Sequence, residues 1–594
     1  MLDRNQTIGL VLFAALTIAY FFFMSNQAPE QPVAQSATTT SVVKQDSITT
    51  TTPTKLVVAP TGAIGTQGEN KEVVLENEEL KITFQTQGAL IKDVLVKKYL
   101  TFDKKPLHLI NPGNNFFALN GLNRNNTPID LYALFYESTV TKNAVTFTVA
   151  DSSGNKLTHT YTLPDKGFAL SYEIGGSALK TWLNIAAPLE LVWNNSVDKI
   201  EYDAELSRAK TTVNYYTPEE GFDQLDETTK DKVTEVVERP IKWVSLKQKF
   251  FNVGIIAKND FQKAELSNVP TEATGKIKNL SAKMTISATS IQKDTLAFKF
   301  FFGPNHYQIC KAVGDDYEKN VYLGWPVING INRFVVVPVF NFLEGKIANY
   351  GVIIIILVLL IKLLLLPLSY KSYVSMAKMK VMKPELDEIK AEHGDDAQKV
   401  QAAQMKLYQQ VGINPLSGCI PVLLQMPILV AMFNFFPNSF ELRQQAFLWA
   451  PDLSTYDYPI LLPFTVPFGY GSHVSMFTIL MTISTLAYTY INNQVSTAAT
   501  GPMKILSYAM PVIFMFVLNS FPAGLSFYYF MSNIVTIGQQ LIIRRFVDET
   551  SLKAKLDENR VKIASGQGGK KSKWMQKVED AMKAQEEIKK NKKK

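Results

Sequence analysis

One lysine is the clearest candidate for chemistry in this sequence. Lys362 lies in the apolar run IIIILVLLIKLLLLPL and is the only formally charged residue in the five apolar segments after residue 346. A lysine at this depth of a bilayer costs about 2.5 to 3.5 kcal/mol on insertion scales, so we expect its ammonium to face protein or a water-filled cavity. Snorkelling towards the cytoplasm is the alternative, because Lys371 lies nine residues further on, about 13 Å along a helix.

Uncharged polar residues accompany this lysine in the apolar segments. No Asp or Glu lies in the other four segments, which argues against a buried salt bridge and against a proton relay of the kind that pumps use. The pattern favours a wet groove around an unpaired cation, with hydrogen bonding between helices as the competing role for each polar residue. These residues are Gln425, Asn434, Ser532, Asn533, Thr536 and Gln539.

The sequence lacks the patterns of common enzyme sites. An intramembrane protease needs a nucleophile and a base at the same depth, and the only histidine near the apolar segments is His473, at a predicted outer edge. The run GQGGKKS at 566–572 has Lys571 where a phosphate loop requires Ser or Thr. The remaining histidines of interest are isolated and predicted to be structural: His108, His159 and His306. We therefore predict no cofactor, no metal site and no enzymatic activity.

The apolar segments are each about long enough to cross a bilayer. The segment 371–411 holds seven Lys, the segment 438–471 holds only Arg443, and residues 544–594 carry 16 Lys and Arg against 8 Asp and Glu. The positive-inside rule therefore places the first and last of these regions in the cytoplasm and the middle one outside. The predicted spans after the N-terminal anchor are 347–369, 419–437, 474–492, 505–520 and 524–543.

The first half of the chain reads as an anchored outer domain. The run TIGLVLFAALTIAYFFFM at 7–24 follows Arg4 and has no cleavage pattern, so we predict a retained anchor with a cytoplasmic N-terminus. A Thr-, Ser-, Gln- and Pro-rich linker follows at 25–70. From about 71 to 310, short runs such as VTFTVAD alternate apolar and polar residues between turn residues, which predicts an antiparallel β-sandwich.

The cytoplasmic segment 371–411 is predicted to form a helical hairpin that turns at His393-Gly394. Met376, Met379 and Met382 recur every three residues on its first helix. Methionines provide an adaptable surface for varied apolar segments, and packing between the two helices is the simpler explanation. Beyond the last span, the basic tail is either a solvated segment or a site for anionic lipid or RNA, including the ribosome.

Several stretches together resemble the YidC/Oxa/Alb family of membrane insertases. They are SYVSMAKMKVMKPELDEIK, INPLSGCIPVLLQMPILVAMF, ELRQQAF and FPAGLSFYYFMSNIVTIGQQ, which make the resemblance dense from about 325 to 546. WVSLKQKFFNVGII is similar to the family's periplasmic sandwich. The large outer domain resembles that of the Gram-negative form.

The resemblance implies a five-span core with a hydrophilic groove that holds one basic residue. That residue is usually Arg in the family, and Lys362 occupies its position, which keeps the charge but loses bidentate contact with a carboxylate. Tyr528 and Tyr529 match positions along which substrates slide, and Gln425 matches a groove-lining position. Val358 stands where the family often has Thr, so the groove is expected to be less polar there.

The expected function is insertion and chaperoning of inner-membrane proteins, alone or with the Sec translocon. The expected partners are nascent and newly made membrane proteins, the Sec translocon, the ribosome and membrane lipids. A solute transporter is the main rival, although inverted repeats and paired intramembrane charges are not seen, and sugar binding by the outer domain stays open. The expected domains are an anchor (1–24), a disordered periplasmic linker (25–70), a periplasmic β-sandwich (71–325), an interfacial amphipathic helix (326–346), a five-span insertase core (347–546) and a basic cytoplasmic tail (547–594).

Overall fold

The computed structural model describes residue 65 and residues 67–292, 295–394, 397–413, 420–467, 470–495 and 502–565. These residues belong to two compact units. The first runs up to Tyr322 and includes Asn438–Gln444, and the second comprises Leu323–Pro437 and the chain from Gln445 onwards. The predicted anchor at 1–24, nearly all of the predicted linker at 25–70 and the end of the basic tail lie outside the described residues.

The first unit is built almost entirely of antiparallel strands, as the alternating pattern predicts. Short helices and turns connect them, including α1 (Ala178–Trp182), α2 (Ala204–Arg208), α3 (Ala288–Ile291) and α4 (Tyr307–Lys311). The strands are β1 (Glu72–Glu76), β2 (Leu80–Gln85), β3 (Leu90–Leu100), β4 (Pro106–Ile110), β5 (Asn115–Leu122), β6 (Pro128–Asp130), β7 (Glu137–Val140), β8 (Ala144–Ala150), β9 (Lys156–Thr162), β10 (Ala169–Gly175), β11 (Leu189–Asp198), β12 (Thr212–Thr217), β13 (Gly221–Gln224), β14 (Val233–Val237), β15 (Ile241–Lys247), β16 (Phe251–Phe261), β17 (Lys263–Pro270), β18 (Lys276–Ile286) and β19 (Thr295–Pro304).

Three sheets share one hydrophobic core in this unit. A nine-stranded sheet has the order β13-β12-β15-β16-β19-β10-β9-β8-β7, a six-stranded sheet has the order β14-β17-β18-β11-β5-β6, and a four-stranded sheet runs β1-β2-β3-β4. On β10 every second residue is buried, so Tyr172 points inwards opposite Tyr161 of β9, and their rings stack at 4.4 Å between centroids. Trp193 and Trp243 are fully buried in the same core. The predicted all-β sandwich is confirmed.

The segment Asn438–Gln444 belongs to the first unit although its neighbours in sequence do not. Phe440 packs edge-on against the rings of Tyr99 and Phe251, at 5.2 and 5.5 Å between centroids. The Arg443 guanidinium pairs with Glu201, with 2.7 Å between Nε and Oε1, and the two side chains are only 3% and 6% exposed. This short segment is therefore an integral part of the β-rich unit.

The second unit is helical apart from one hairpin of two strands. Its strands are β20 (Ile460–Val466) and β21 (Gly471–Val474). Its helices are α5 (Pro326–Ile331), α6 (Val337–Glu344), α7 (Tyr350–Leu364), α8 (Leu366–Val381), α9 (Lys383–His393), α10 (Ala397–Gln410), α11 (Ile420–Asn438), α12 (Met476–Val495), α13 (Pro502–Leu518), α14 (Ala523–Phe546) and α15 (Glu549–Ala564). A π-helical segment, Asn332–Val336, joins α5 to α6.

The predicted span 347–369 is broken in the structure. α7 ends at Leu364, and α8 leaves at an angle of 61°. Pro367 explains the break, because a proline ring clashes with the preceding turn and supplies no N–H for the helix ladder. Lys362 consequently lies in the last turn of α7.

Length and composition single out few of the described helices as membrane spans. The unbroken stretch Pro326–Glu344 is long and apolar enough to cross a membrane, and α7 with α8 qualifies only as a bent pair. Ile505–Leu518 is a shorter apolar helix. The remaining helices in the predicted spans follow the expected positions closely: α11, α12 and α14 begin within two residues of the predicted starts.

Candidate functional site

Lys362 is the centre of the candidate site. Its side chain is only 7% exposed, and among the described residues its ammonium has no hydrogen-bond or ion-pair partner. The backbone around it is bonded, because the Gln539 side chain on α14 donates a hydrogen bond of 3.2 Å to the carbonyl of Lys362. α7 and α14 therefore pack against each other at the level of the lysine, and the ammonium of this largely buried residue is left available for an anionic ligand.

One face of α14 runs past this lysine. Tyr528, Ser532, Thr536 and Gln539 are spaced by four, four and three residues, which places them in one row along the helix. Gln539 is the last residue of the row, and it contacts α7. Gln539 follows Tyr528 by 11 positions, or about 17 Å at ~1.5 Å per residue. The row connects the predicted sliding position at Tyr528 with the level of Lys362.

The two tyrosines lie between α14 and α11. Tyr528 is buried and its ring is 5.5 Å from that of Phe436, while the Tyr529 ring is 5.5 Å from that of Phe433. The Tyr529 hydroxyl donates to the carbonyl of Leu429 at 3.3 Å. These contacts form an aromatic cluster at the Tyr528 end of the row. Such a cluster suits an apolar segment better than a polar one.

Of the other predicted groove residues, Asn533 holds two helices together. The Asn533 amide donates to Ser484 Oγ at 3.0 Å and to Thr485 Oγ1 at 2.8 Å, which joins α14 to α12. Thr536 donates to the carbonyl of Ser532 within its own helix at 2.7 Å. Gln425 on α11 is partly buried. For Asn533 the competing role, hydrogen bonding between helices, accounts for its contacts.

The methionines predicted as hairpin contacts line a small cluster. Met379 and Met382 are buried with Leu386, Leu407 and Leu556, and Met376 packs against the edge of the same cluster. α15 contributes Leu556 and is also tied to the hairpin by the pairs Arg560–Glu385 at 2.7 Å and Lys380–Glu549 at 2.6 Å. Packing among these helices therefore accounts for Met379 and Met382.

A buried carboxylate near the start of α12 was not found from the sequence. Asp457 is fully buried, and its Oδ2 accepts hydrogen bonds from the backbone N–H of Met476 at 2.8 Å and of Phe477 at 3.1 Å and from Trp449 Nε1 at 2.8 Å. It caps the N-terminus of α12, where the helix dipole favours a negative charge. No local signal could reveal this, because Asp457 precedes the helix by 19 residues.

His159 and Cys310 of the β-rich unit are buried in its core. His159 is buried between the hydroxyls of Tyr172 and Tyr136, at 2.7 and 3.1 Å, and burial lowers its pKa to about 3. Burial raises the pKa of the Cys310 thiol to about 12. Within the described part of the chain, no group of three or more His, Cys, Asp or Glu residues is placed to hold a metal ion.

Comparison with known proteins assigns both units to one class. The family described as 60Kd inner membrane protein matches residues 342–550, and the family described as YidC periplasmic domain matches residues 72–338. The two matches define an inner-membrane protein that carries a periplasmic domain. The chain belongs to the YidC family, so the predicted resemblance is confirmed.

The relatives are full-length and carry one name, membrane protein insertase YidC. The protein of Cytophaga hutchinsonii is 51% identical over 99% of this chain and 98% of its own, and that of Amoebophilus asiaticus is 44% identical over 98% and 99%. A crystal structure of an active YidC insertase covers 80% of this chain and 93% of its own, with 18% identity and a TM-score of 0.33. The family name denotes an insertase and not an enzyme, as the sequence predicts.

Proposed function

We propose that this protein inserts membrane proteins into the inner membrane through a groove between α7, α11 and α14, with Lys362 as its polar centre. The observation that carries the proposal is the largely buried Lys362, whose ammonium has no partner among the described residues. A buried charge without a partner is unfavourable, so it is retained where function requires it. Membership of an insertase family supplies the class of substrate.

The mechanism is passive. An arriving segment brings a polar, often acidic, flank to the Lys362 ammonium, which offers a point charge with three donors. The apolar part of the segment moves along the row from Tyr528 to Gln539 and leaves sideways into lipid. Transfer of apolar surface out of water yields about 25 cal/mol per Å², so no nucleotide is required.

The proposed topology keeps both termini in the cytoplasm and the β-rich unit in the periplasm. The charge distribution supports it, because the hairpin 371–411 and the tail are rich in Lys whereas 438–471 has only Arg443. In this scheme α7, α11, α12, α13 and α14 form the five-span core. The stretch 326–346 lies at the outer membrane surface, which its exposed Phe334 and Phe342 favour.

The proposed partners beyond the substrate are the ribosome, the Sec translocon and membrane lipids. The basic tail and the lysines of the hairpin provide a positively charged cytoplasmic surface, which suits ribosomal RNA and anionic headgroups. The Sec translocon is proposed as a partner only because the chain belongs to this insertase family.

Insertion by reconstituted protein tests the role of the charge. We would reconstitute the wild type and the variants Lys362→Arg and Lys362→Gln into liposomes and follow protease protection of a single-span substrate with an acidic outer flank. Lys362→Arg should retain insertion. Lys362→Gln should slow it roughly ten- to hundred-fold, because a hydrogen bond to a charged group is worth about 1.5 to 3 kcal/mol.

Two controls make this test specific. Lys371→Gln removes a lysine nine residues further on, outside the groove, and should leave the rate unchanged. A substrate with a neutral flank should be less sensitive to Lys362→Gln than the acidic one. Wild-type insertion of the acidic substrate by Lys362→Gln would contradict the proposal.

A further inference from the structure

The hairpin formed by β20 and β21 exposes apolar side chains at one end of the helical unit. Leu461 is 63% exposed and Phe464 is 61% exposed, and Ile460 beside them is also exposed. Among the described residues these two strands form a sheet of their own. A two-stranded hairpin is at best marginally stable in water, so an exposed apolar hairpin requires another partner.

β21 and the adjoining turn residue Tyr470 are held firmly to the end of α13. His473 is buried, its Nε2 lies 2.9 Å from the carbonyl oxygen of Asn519, and its ring stacks on that of Tyr456 at 3.7 Å between centroids. The Asn519 amide donates to the carbonyls of Tyr470 and His473 at 2.8 and 2.9 Å. The exposed side chains on β20 are therefore presented from a rigid base.

The same base is continuous with the start of α12. Asp457, three residues before β20, caps α12 through the N–H groups of Met476 and Phe477. The hairpin consequently sits where α12 begins and α13 ends. In the proposed topology the start of α12 and the end of α13 are the outer ends of two membrane spans. The hairpin therefore lies at the level of the outer lipid headgroups.

The composition of the region fits lipid. From Tyr458 to Met503 the sequence contains no Asp, Glu, Lys or Arg, so entry into the headgroup region desolvates no charge. Pro459, Pro463 and Pro467 carry no N–H, which reduces the number of unpaired backbone donors along the hairpin. The hairpin cannot lie in the hydrocarbon centre of the bilayer, because the other backbone groups at its free edges would have no hydrogen-bond partners there.

We propose that the β20–β21 hairpin is a membrane-surface anchor that inserts Leu461 and Phe464 into the outer lipid leaflet. It lies at the boundary of headgroups and acyl chains, about 5 to 10 Å deep, as an interfacial helix does. It fixes the depth of α12 and α13, to which its base is bonded. This inference rests on α12 and α13 being spans and is independent of the role of Lys362.

Spin labels test the depth of the hairpin in the full chain. Phe464→Cys and, separately, Leu461→Cys are made with Cys310→Ser and Cys419→Ser, labelled with a nitroxide and reconstituted into phosphatidylglycerol and phosphatidylethanolamine nanodiscs. Relaxation by oxygen and by a water-soluble nickel chelate reports the lipid and water around each label. Both labels should be accessible to oxygen and shielded from nickel.

Val140→Cys is the matched control, because Val140 is an apolar residue on β7 of the periplasmic unit and is 52% exposed. Its label should be open to nickel. Nickel accessibility at 461 and 464 equal to that at 140 would overturn the anchor. Shielding of both labels from oxygen as well as nickel would also overturn it, since a protein surface would then cover the hairpin. Insertion activity of the labelled protein shows independently whether the proposed function holds.

Discussion

Lys362 and the Gln539 side chain that bonds its carbonyl mark the level at which α7 meets α14. The isolation of Lys362 in an apolar run is evident from the sequence alone, and the structure places the side chain in a buried position. Its neighbour Gln539 is 177 residues away in the chain, so no local pattern could pair them. The same holds for Asn533, whose polar type suggested a groove and whose contacts are with Ser484 and Thr485.

The Arg443–Glu201 pair gives a residue-scale prediction for stability. Arg443→Ala removes the guanidinium that pairs with a buried carboxylate, and breaking a buried pair in this way costs about 3 to 5 kcal/mol. Chemical denaturation of the full chain in detergent, followed by tryptophan fluorescence, measures the loss. The control is Lys283→Ala, which removes an exposed pair with Glu190 and should cost at most about 1 kcal/mol. Equal effects of the two substitutions would contradict a structural role for the buried pair.

Glu227 makes the periplasmic unit sensitive to acid. Burial alone raises the pKa of its carboxyl, but the nearby Lys247 and Lys210 ammoniums outweigh this and lower the pKa to about 2. The pKa of the folded state lies below the ordinary value of 4.5 for a glutamate, so the stabilisation is present above pH 4.5 and is lost as the pH falls towards 2. The full effect is roughly 3 kcal/mol.

Glu227→Gln should therefore flatten the dependence of the unfolding free energy on pH between about 4.5 and 2. Denaturant unfolding at pH 5 and pH 3 measures it. Glu205→Gln, at an exposed carboxylate, should keep the wild-type dependence. A Glu227→Gln variant that loses as much stability as the wild type between the two pH values would show that other carboxylates govern acid unfolding.

At the scale of elements, the hydrophobic periodicity predicted whether a segment is a helix or a strand better than it predicted where the element begins and ends. The alternation on β8 and β10 and the turn at Phe521-Pro522 between α13 and α14 are visible in the sequence because each is a local signal. Pro367 was also visible, yet the apolar run continued past it and suggested one span. The sequence did not predict the β20–β21 hairpin because β20 shows no apolar–polar alternation, β21 is only four residues long, and the contacts with Asn519 are distant in sequence.

The cap of α12 gives an element-scale prediction. Asp457→Ala removes the acceptor for Met476, Phe477 and Trp449, and it should lower the stability of the helical unit by about 1 to 3 kcal/mol, because buried donors lose their partner. The thermal unfolding midpoint in detergent reports this loss. Asp452→Ala is the control, since Asp452 is partly exposed and bonds only to Ser454. A shift at 457 no larger than that at 452 would refute the capping role.

On the scale of the whole molecule, composition predicted the division of the chain into two structural units. Alternating runs fill the first half and uncharged runs the second, and the structure separates them into a β-rich and a helical unit. The exception is Asn438–Gln444, which lies between apolar segments and nevertheless packs with the β-rich unit. Tertiary contacts of this kind, Phe440 with Tyr99 and Phe251 for example, have no signature in a single sequence.

Substrates are proposed to pass along α14 beside Lys362, and site-specific crosslinking detects a nascent chain on this path. A photo-crosslinking residue replaces Lys362 or Tyr528, and ribosomes stalled on a single-span membrane protein are presented to the membrane-embedded variants. A residue at Val140 on the periplasmic unit serves as the control position. The account predicts crosslinks to the nascent chain from 362 and 528, none from 140, and none with a soluble nascent chain. Folded variants that capture no nascent chain at 362 or 528 would contradict the groove mechanism.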